Sequence, residues 1–311
     1  MASSIPFRLG TRSSALARWQ AEWVATRLTE LGAAVELVPI STRGDRQQVG
    51  PIAAIRGGDG VFTKELQRAL LASEIDLAVH SLKDLPTEPV AGLTLGAVPE
   101  RGPTGDVLVC REAKSLDELP PGATVGTGSL RRRAQLWHVR PDLKMVDVRG
   151  NVDTRLRKVR EGEFDALVLA EAGLHRLGLD AHITQRLPRE IMLPAVGQGA
   201  LGIECRADDA RTREAIAPLD HAATHAAVRA ERALLRAIMG GCLAPVAAWG
   251  RIEGDGLLHL DAVVLSGDGR TRLTAAGNAT PAEAETLGQA LAENLLAQGA
   301  AALIDACRKE L

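Results

Sequence analysis

The chain of 311 residues is poor in aromatic side chains, which make up 2% of it, and tyrosine is absent. Proteins that bind single-stranded nucleic acid stack the bases on aromatic rings. The composition therefore disfavours that class of protein. The chain also lacks an excess of one charge, since its formal net charge is -2, which argues against a general binder of polyanions.

Cysteine is scarce as well, with Cys110, Cys205, Cys242 and Cys307 as the four in the chain. None of them forms a C-x-x-C pair, so a zinc site lacks its usual spacing and we expect no metal. No apolar run is long enough to cross a bilayer, and the first residues lack the features of a signal peptide. We therefore expect a cytoplasmic protein without a membrane partner, in which thiols stay reduced.

Short apolar runs of strand length alternate with segments of helical period through the first two thirds of the chain, as in "PFRLG" followed by "SALARWQAEWVATRLTEL". This alternation predicts an α/β fold with mainly parallel sheets and helices on both faces. Stretches rich in Gly and Pro at 98–106 and 193–202 are typical of crossings between two such domains. Beyond about residue 219 the pattern changes to a long helix, alternating stretches and a closing helix, which indicates a smaller α+β domain.

These patterns predict two doubly wound α/β domains and a small C-terminal α+β domain. We place the first domain at 1–99 and 200–219, the second at 100–199 and the third at 220–311. The third would carry the cysteine of the "GGCLAPV" stretch.

Cationic and hydroxyl side chains follow the predicted strands. Ligands of open α/β sheets bind at the carboxyl ends of strands, where helix N-termini present free N–H groups. Five strand ends carry such residues, and we expect them at one sheet edge. The residues are Arg12 and Ser14, Lys83 and Asp84, Ser129 with Arg131 and Arg132, Arg149 with Arg155, and Glu171 with Arg176.

Between 131 and 160 there are ten Lys or Arg against three Asp or Glu. Part of this excess, namely Arg157, Lys158 and Arg160, is typical of a solvated helix face. The arginines at strand ends favour an anion site, because each guanidinium donates paired, charge-assisted hydrogen bonds to a carboxylate. Several arginines predict a ligand with more than one carboxylate. Nucleic acid is the competing anion, but this stretch offers only Trp137 for stacking.

Asp84 is an acid among these cations. It is explained equally well by an ion pair with Lys83 or a nearby arginine, by general acid–base catalysis, or by stabilisation of a cation on a substrate. Cys242 also has two explanations. Cys110 and Cys205 end apolar strands and Cys307 lies in the final helix, whereas Cys242 follows two glycines that permit close approach of a ligand. A small buried side chain beneath a loop explains it as well.

Taken together, these motifs resemble the porphobilinogen deaminase family, also called hydroxymethylbilane synthases. The resemblance covers most of residues 7–250 and is carried by "LGTRSSALARWQ", "IDLAVHSLKDLP", "VGTGSLRRRAQL", "VRGNVDTRL", "LPAVGQGALGIECR" and "GGCLAPV". It implies two α/β domains like those of periplasmic solute-binding proteins and a covalent dipyrromethane cofactor in the cleft between them. The cofactor would be held by a thioether to Cys242.

The implied activity is a transferase reaction of tetrapyrrole and heme biosynthesis. Four porphobilinogen molecules are deaminated and joined head to tail onto the cofactor, and hydroxymethylbilane is released by hydrolysis. By resemblance, Asp84 would protonate the leaving amine, stabilise the resulting cation and help to remove the ring proton.

The resemblance also assigns residues to the ligands. Those for the cofactor are Cys242, Lys83, Ser129, Arg131, Arg132, Arg155 and Gly199. Those for the substrate are Arg12, Ser14, Arg149, Arg176 and Gln198. The expected partner is porphobilinogen, with no nucleic acid, and the protein is expected to be a monomer.

The chain departs from the family pattern in two places. In "AAIRGGDGVF", Asp59 and either Ala54 or Ile55 stand where the family often has lysines, so a charge contact of this loop is in doubt and Arg56 is a candidate substitute. Gly128 replaces a usual serine. The alternative to an enzyme is a non-catalytic two-domain module that binds a polycarboxylate reversibly and leaves Cys242 unmodified.

Overall fold

The computed structural model describes residues 5–41, 63–239 and 244–309. The strands of this part of the chain are β1 Phe7–Thr11, β2 Val35–Pro39, β3 Leu77–Ser81, β4 Leu93–Ala97, β5 Asp106–Cys110, β6 Thr124–Gly126, β7 Lys144–Val146, β8 Ala166–Ala170, β9 Gln185–Arg186, β10 Leu201–Arg206, β11 Val246–Ile252, β12 Leu258–Leu265 and β13 Arg272–Ala279.

The α-helices are α1 Ala15–Glu30, α2 Lys64–Leu71, α3 Leu130–Val139, α4 Val152–Arg160, α5 Glu171–Arg176, α6 Ala210–Ile216, α7 Ala222–Ala237, α8 Ala284–Ala297 and α9 Ala300–Lys309. Short 3₁₀ turns lie at Leu82–Asp84, Asp180–His182, Ala217–Leu219 and Pro281–Glu283.

The chain divides into two compact units. The first contains residues 1–101 and 200–225, and the second contains residues 102–199 and 226–311. The boundary between residues 225 and 226 lies inside α7. The prediction that 100–199 and 220–311 are separate domains stays a prediction.

The first unit is built on a five-stranded sheet with the order β2-β1-β3-β10-β4. Strand β1 is parallel to β2 and β3, whereas β10 is antiparallel to both of its neighbours. The apolar faces of β1, β3 and β10 pack with α1, and residues such as Leu9, Leu28 and Ile203 are fully buried there. The carboxyl ends of β1 and β3 therefore lie side by side at one edge.

The second unit contains a five-stranded sheet with the same topology, in the order β7-β6-β8-β5-β9. Here β6 is parallel to β7 and β8, and β5 is antiparallel to β8 and β9. Two apolar clusters form its core, one around Leu108 and Val168 and one around Leu167 and Leu174. The carboxyl ends of β6, β7 and β8 meet at one edge.

The second unit also contains the antiparallel sheet β11-β12-β13, which packs with α7, α8 and α9 through Leu258, Leu260, Leu291 and Ile304. The predicted fold class, two doubly wound α/β sheets with a smaller α+β region at the C-terminus, is confirmed. The expectation of mainly parallel sheets is wrong, because two of the four strand pairings in each five-stranded sheet are antiparallel. Sequence reasoning missed strand β13 and expected a single closing helix, whereas α8 and α9 are separated at Gly299, whose φ is +101°. The long helix α7 ends at Ala237.

Candidate active site

Two of the five predicted strand ends belong to the first unit. Ser14 caps α1, since its Oγ accepts a hydrogen bond from the backbone N–H of Ala17 at 3.3 Å. Gln20, on the same helix, donates to Oγ of Ser81 at 2.7 Å and so ties α1 to the end of β3. Because β1 and β3 are parallel neighbours, this unit brings half-buried Arg12 and Ser14 close to the turn after β3.

Asp84 lies in the 3₁₀ turn Leu82–Asp84 that follows β3, and both it and Lys83 are half-buried. Among the residues that the structure describes, no side chain forms an ion pair or hydrogen bond with the Asp84 carboxylate. The ion pair that sequence reasoning offered for Asp84, with Lys83 or an arginine, is therefore not found in this part of the chain.

The other three strand ends belong to the second unit. Thus the expectation that all five lie at one sheet edge is wrong, because the strands divide between two sheets. After β6, Ser129 caps α3 by accepting a hydrogen bond from the backbone N–H of Arg132 at 3.4 Å. After β7, Asn151 caps α4 in the same way through Thr154 at 3.1 Å. Because β6 and β7 are parallel, both capped helix N-termini lie at the same edge of the sheet, and helix N-termini favour anions.

Arg131 and Arg132 are buried side chains with a shared partner, Asp106. Nη1 of Arg131 lies 2.8 Å from Oδ2 of Asp106, and Nη2 of Arg132 lies 2.7 Å from Oδ1. The two guanidinium groups hold the pKa of the Asp106 carboxyl well below its ordinary value, although burial alone would raise it. Arg133 points elsewhere and pairs with Asp147 at 2.7 Å.

Arg149 and Arg155 lie at the strand end after β7, and both are half-buried. Nε of Arg155 donates to the carbonyl of Gly150 at 2.8 Å. Within the described ranges, Arg149 has no hydrogen bond or ion pair. Arg157, which was expected on a solvated helix face, is exposed and pairs with Glu161 at the end of α4, at 3.9 Å.

The remaining predicted residues gather where the chain leaves the second unit. Nη2 of Arg176 donates to the carbonyl of Gly199 at 2.6 Å, and burial lowers the pKa of this guanidinium to about 10. Nε2 of Gln198 donates to the carbonyls of Thr104 and Gly105 at 2.9 and 3.1 Å. These contacts hold together the two connecting segments, at which the chain enters the second unit near Thr104 and leaves it near Gly199.

Gly199 has a structural reason to be glycine. Its φ is +85°, and a Cβ atom there would lie 2.7 Å from the carbonyl oxygens of Gly102 and Pro103. At Gly128, a Cβ would lie 3.2 Å from the carbonyl oxygen of Val148. A serine at 128 thus needs that backbone to move slightly.

Several predicted positions lie outside the described residues. They are Cys242, Ala54, Ile55, Arg56 and Asp59. Burial raises the pKa of both Cys110 and Cys205 to about 11, so neither thiol is ionised at neutral pH.

Sequence reasoning missed Gln20 and Asp106. Only a weak signal marked Asp106, namely an acidic residue at the start of the apolar run "DVLVC". It also missed a buried network in which Glu204 contacts Nε2 of His80 at 3.0 Å and accepts from Nε2 of Gln67 at 3.0 Å. This network joins β3, β10 and α2 one residue before Ser81.

Within residues 5–41, 63–239 and 244–309, no group of three or more His, Cys, Asp or Glu side chains is arranged to hold a metal ion. Over the same ranges, every helix is too short or too polar to cross a bilayer.

Residues 7–214 match the family model described as porphobilinogen deaminase, dipyromethane cofactor binding domain, and residues 225–297 match porphobilinogen deaminase, C-terminal domain. A porphobilinogen deaminase of Pelotomaculum thermopropionicum is 50% identical over 305 residues, covering 97% of each chain. One from Desulforudis audaxviator is 53% identical over 298 residues, covering 95% of this chain and 96% of its own length.

A third relative, from Xanthomonas campestris pv. campestris, is 50% identical over 299 residues, covering 96% of this chain and 98% of its own. Among solved structures, the methionine-binding protein MetQ is 16% identical with a TM-score of 0.44, covering 68% of this chain and 89% of that one. The two family models and the identity over almost the full length lead to one conclusion. The chain belongs to the porphobilinogen deaminase family.

Proposed function

We propose that this chain deaminates four porphobilinogen molecules, joins them head to tail onto a dipyrromethane cofactor and releases hydroxymethylbilane. The observation that carries the proposal is the match of both family models in one chain, one of which is a dipyrromethane cofactor-binding domain. The product is a precursor of tetrapyrroles such as heme.

Asp84 is the catalytic residue of this proposal. Its carboxyl group donates a proton to the amino group of porphobilinogen, which leaves as ammonia. The resulting carboxylate then lies beside the cation that develops on the substrate and stabilises it. It finally takes a proton from the pyrrole carbon at which the new bond forms, so the acid is restored for the next unit.

The basic and hydroxyl residues bind the acetate and propionate groups. In the first unit these are Arg12, Ser14 and Lys83. In the second unit they are Ser129, Arg131, Arg132, Arg149, Arg155 and Arg176, with Gln198 and Gly199 at the connecting segments. Guanidinium groups suit this task because each presents two parallel N–H donors to a carboxylate.

The residues of the second unit fit a cofactor that bears several carboxylates. Asp106 neutralises only one of the two charges on Arg131 and Arg132, and half-buried Arg149 has no partner among the described residues. When bound, the dipyrromethane supplies the free pyrrole position onto which the first porphobilinogen is joined. Cys242 would hold it by a thioether.

The proposal includes the organisation of the protein. Residues 1–99 with 200–219, residues 100–199 and residues 220–311 form three domains, and the third carries Cys242. The enzyme works as a monomer in the cytoplasm and takes no nucleic acid as a partner.

The intact mass of the purified protein under denaturing conditions tests this function. We expect a covalent increment equal to two linked pyrrole units in the wild type and in the control Cys110→Ala, and no increment in Cys242→Ala. A wild-type mass that stays unmodified after incubation with porphobilinogen would contradict the proposal. It would instead indicate a module that binds its ligand reversibly.

A further inference from the structure

Asp106 is the first residue of β5, and its side chain is 0% exposed. Both carboxylate oxygens are used by cations: Oδ2 accepts from Nη1 of Arg131 at 2.8 Å, and Oδ1 accepts from Nε of Arg132 at 2.9 Å. We refer to these three residues as the Arg131–Asp106–Arg132 trio. A fully buried carboxylate is stable only when it is paired in this way.

The two guanidinium groups are held from a second side by backbone carbonyls. Nη1 of Arg131 also donates to the carbonyl of Leu193, and Nη1 of Arg132 donates to the carbonyl of Val168 at 3.1 Å. Each guanidinium therefore donates to at least two acceptors on different parts of the chain, and these two contacts fix its orientation. Arginine has five N–H donors, so both groups keep donors beyond these contacts.

The trio lies at the ligand edge of its sheet. Strand β5 is antiparallel to β8, and Asp106 pairs with Ala170, the last residue of β8. The amino end of β5 thus coincides with the carboxyl ends of the parallel strands β6 and β8, after which Ser129 and Glu171 follow. Asp106 contacts the two arginines in the first turn of α3, the helix that follows β6.

Charge sets what the trio can bind. Two adjacent guanidinium cations repel each other, and the Asp106 carboxylate offsets one of their charges, which leaves the trio with one net positive charge. A single carboxylate would neutralise it.

We propose that Asp106 is a positioning residue, which holds the guanidinium groups of Arg131 and Arg132 so that together they bind one carboxylate of the dipyrromethane cofactor. This inference rests on the proposed function, since it concerns how the same site takes up its cofactor. Asp106 itself does not touch the ligand and acts through the two arginines.

A second buried aspartate gives a matched control. Asp76 in the first unit also lies between two arginines, Arg8 at 2.7 Å and Arg206 at 3.2 Å. It precedes β3, however, so it lies at the opposite end of that strand from Asp84. Its loss should remove a buried carboxylate that pairs with two arginines, of which Arg8 is more exposed than Arg131 or Arg132, without reaching the cofactor.

The experiment compares wild type, Asp106→Asn and Asp76→Asn, each produced in a host that makes no porphobilinogen. Porphobilinogen is then added. Intact mass gives the rate at which the covalent increment appears, and thermal unfolding before and after loading gives the gain in Tm caused by the cofactor. Because the gain is a difference within one variant, a purely structural loss of stability cancels from it.

We expect both variants to have a lower Tm than the wild type before loading. Only Asp106→Asn should load more slowly, by about tenfold, as for the loss of one charge-assisted hydrogen bond, and only it should show a smaller gain in Tm. If Asp106→Asn loads and gains Tm as Asp76→Asn does, Asp106 is merely structural and the inference is overturned.

Should Asp106→Asn not fold, Asp106→Glu decides by the same two measurements, because it keeps the charge and moves it by one methylene group. Slower loading and a smaller gain support the inference, and wild-type values overturn it. A wild type that acquires no increment contradicts the proposed function instead.

Discussion

At the scale of single residues, the proposed function makes the activity depend on Asp84, and replacement of this residue gives the first prediction. Asp84→Asn keeps the shape of the side chain but removes the proton that the leaving amine needs. We expect kcat to fall by about 10²- to 10⁴-fold, the usual contribution of a general acid or base. We expect Tm to stay near that of the wild type, because the carboxylate has no partner to lose among the described residues.

The control for this prediction is Glu88→Gln, an exposed acid four residues further along the chain. It changes the same charge near the same turn and should leave kcat unchanged. Steady-state rates of porphobilinogen consumption measure both variants. Near-normal turnover in Asp84→Asn would rule out its catalytic role.

The sequence was informative at residues whose type is unusual for their position. Arg12 and Asp84 could be predicted as candidate site residues because ligands of open α/β sheets bind at the carboxyl ends of the parallel strands. Asp106 could not be assigned to Arg131 and Arg132, since the partners are 25 and 26 residues apart and nothing local signals an antiparallel β5. Ser14 and Ser129 were predicted to bind ligands, and the structure shows that both also cap helices. The ligand roles of Arg12, Ser14 and Ser129 stay predictions.

At the scale of elements, the connecting segments near 102–104 and 197–199 depend on close backbone contact. The backbone N–H of Gly102 donates to the carbonyl of Gly199 at 3.1 Å, and the φ of Gly199 is +85°. Only glycine fits here without strain. These segments must therefore keep their backbone path for Arg176 and Gln198 to stay in place.

Gly199→Ala gives the second prediction. The new methyl group would meet two carbonyl oxygens in a backbone region that disfavours side chains, so we expect a loss of about 2 to 4 kcal/mol of stability. Gly178→Ala is the control, because its φ is +68° but nothing lies within 4 Å of the added atom. We expect it to lose only about 1 kcal/mol. Urea unfolding compares the two, and equal losses would show that the contacts with Gly102 and Pro103 do not matter.

Elements with strong local patterns were predicted well, and those defined by tertiary pairing were not. In "LAVHS" and "ALVLA" the first four residues are buried, and all of these except His80 are apolar, so the place of each strand could be predicted from the sequence. Strand β13 alternates weakly, with Ala275 as its buried residue, and is held by its pairing to β12. A strand that is defined by its pairing with a neighbouring strand, and not by its own hydrophobic pattern, cannot be predicted from the sequence alone.

At the scale of the whole molecule, each unit buries one aspartate between two arginines. Asp76 serves this role in the first unit and Asp106 in the second. The guanidinium partners lower the pKa of both carboxyls below the ordinary value near 3.8, against the effect of burial. The stability of each unit is thus linked to the ionisation of one buried acid.

The sign of this linkage gives the third prediction. An acid whose pKa is lower in the folded chain contributes stability that is fully present above the unfolded value. The contribution declines as the pH falls below about 3.8 toward the folded pKa, because unfolding then takes up a proton. Acid should therefore weaken both units through Asp76 and Asp106.

Thermal unfolding at pH 7, 5, 4 and 3 tests this linkage in wild type, Asp76→Asn and Asp106→Asn, all without cofactor. At pH 7, removing one partner of the buried trio should cost about 3 to 5 kcal/mol in Asp106→Asn. The gap in Tm between wild type and each variant should stay constant down to about pH 5 and then shrink, since the variants lack the titrating carboxyl. If the difference in Tm between wild type and each variant were the same at pH 3 as at pH 7, unfolding would take up no proton at Asp76 or Asp106 in this range. That result would contradict the predicted linkage.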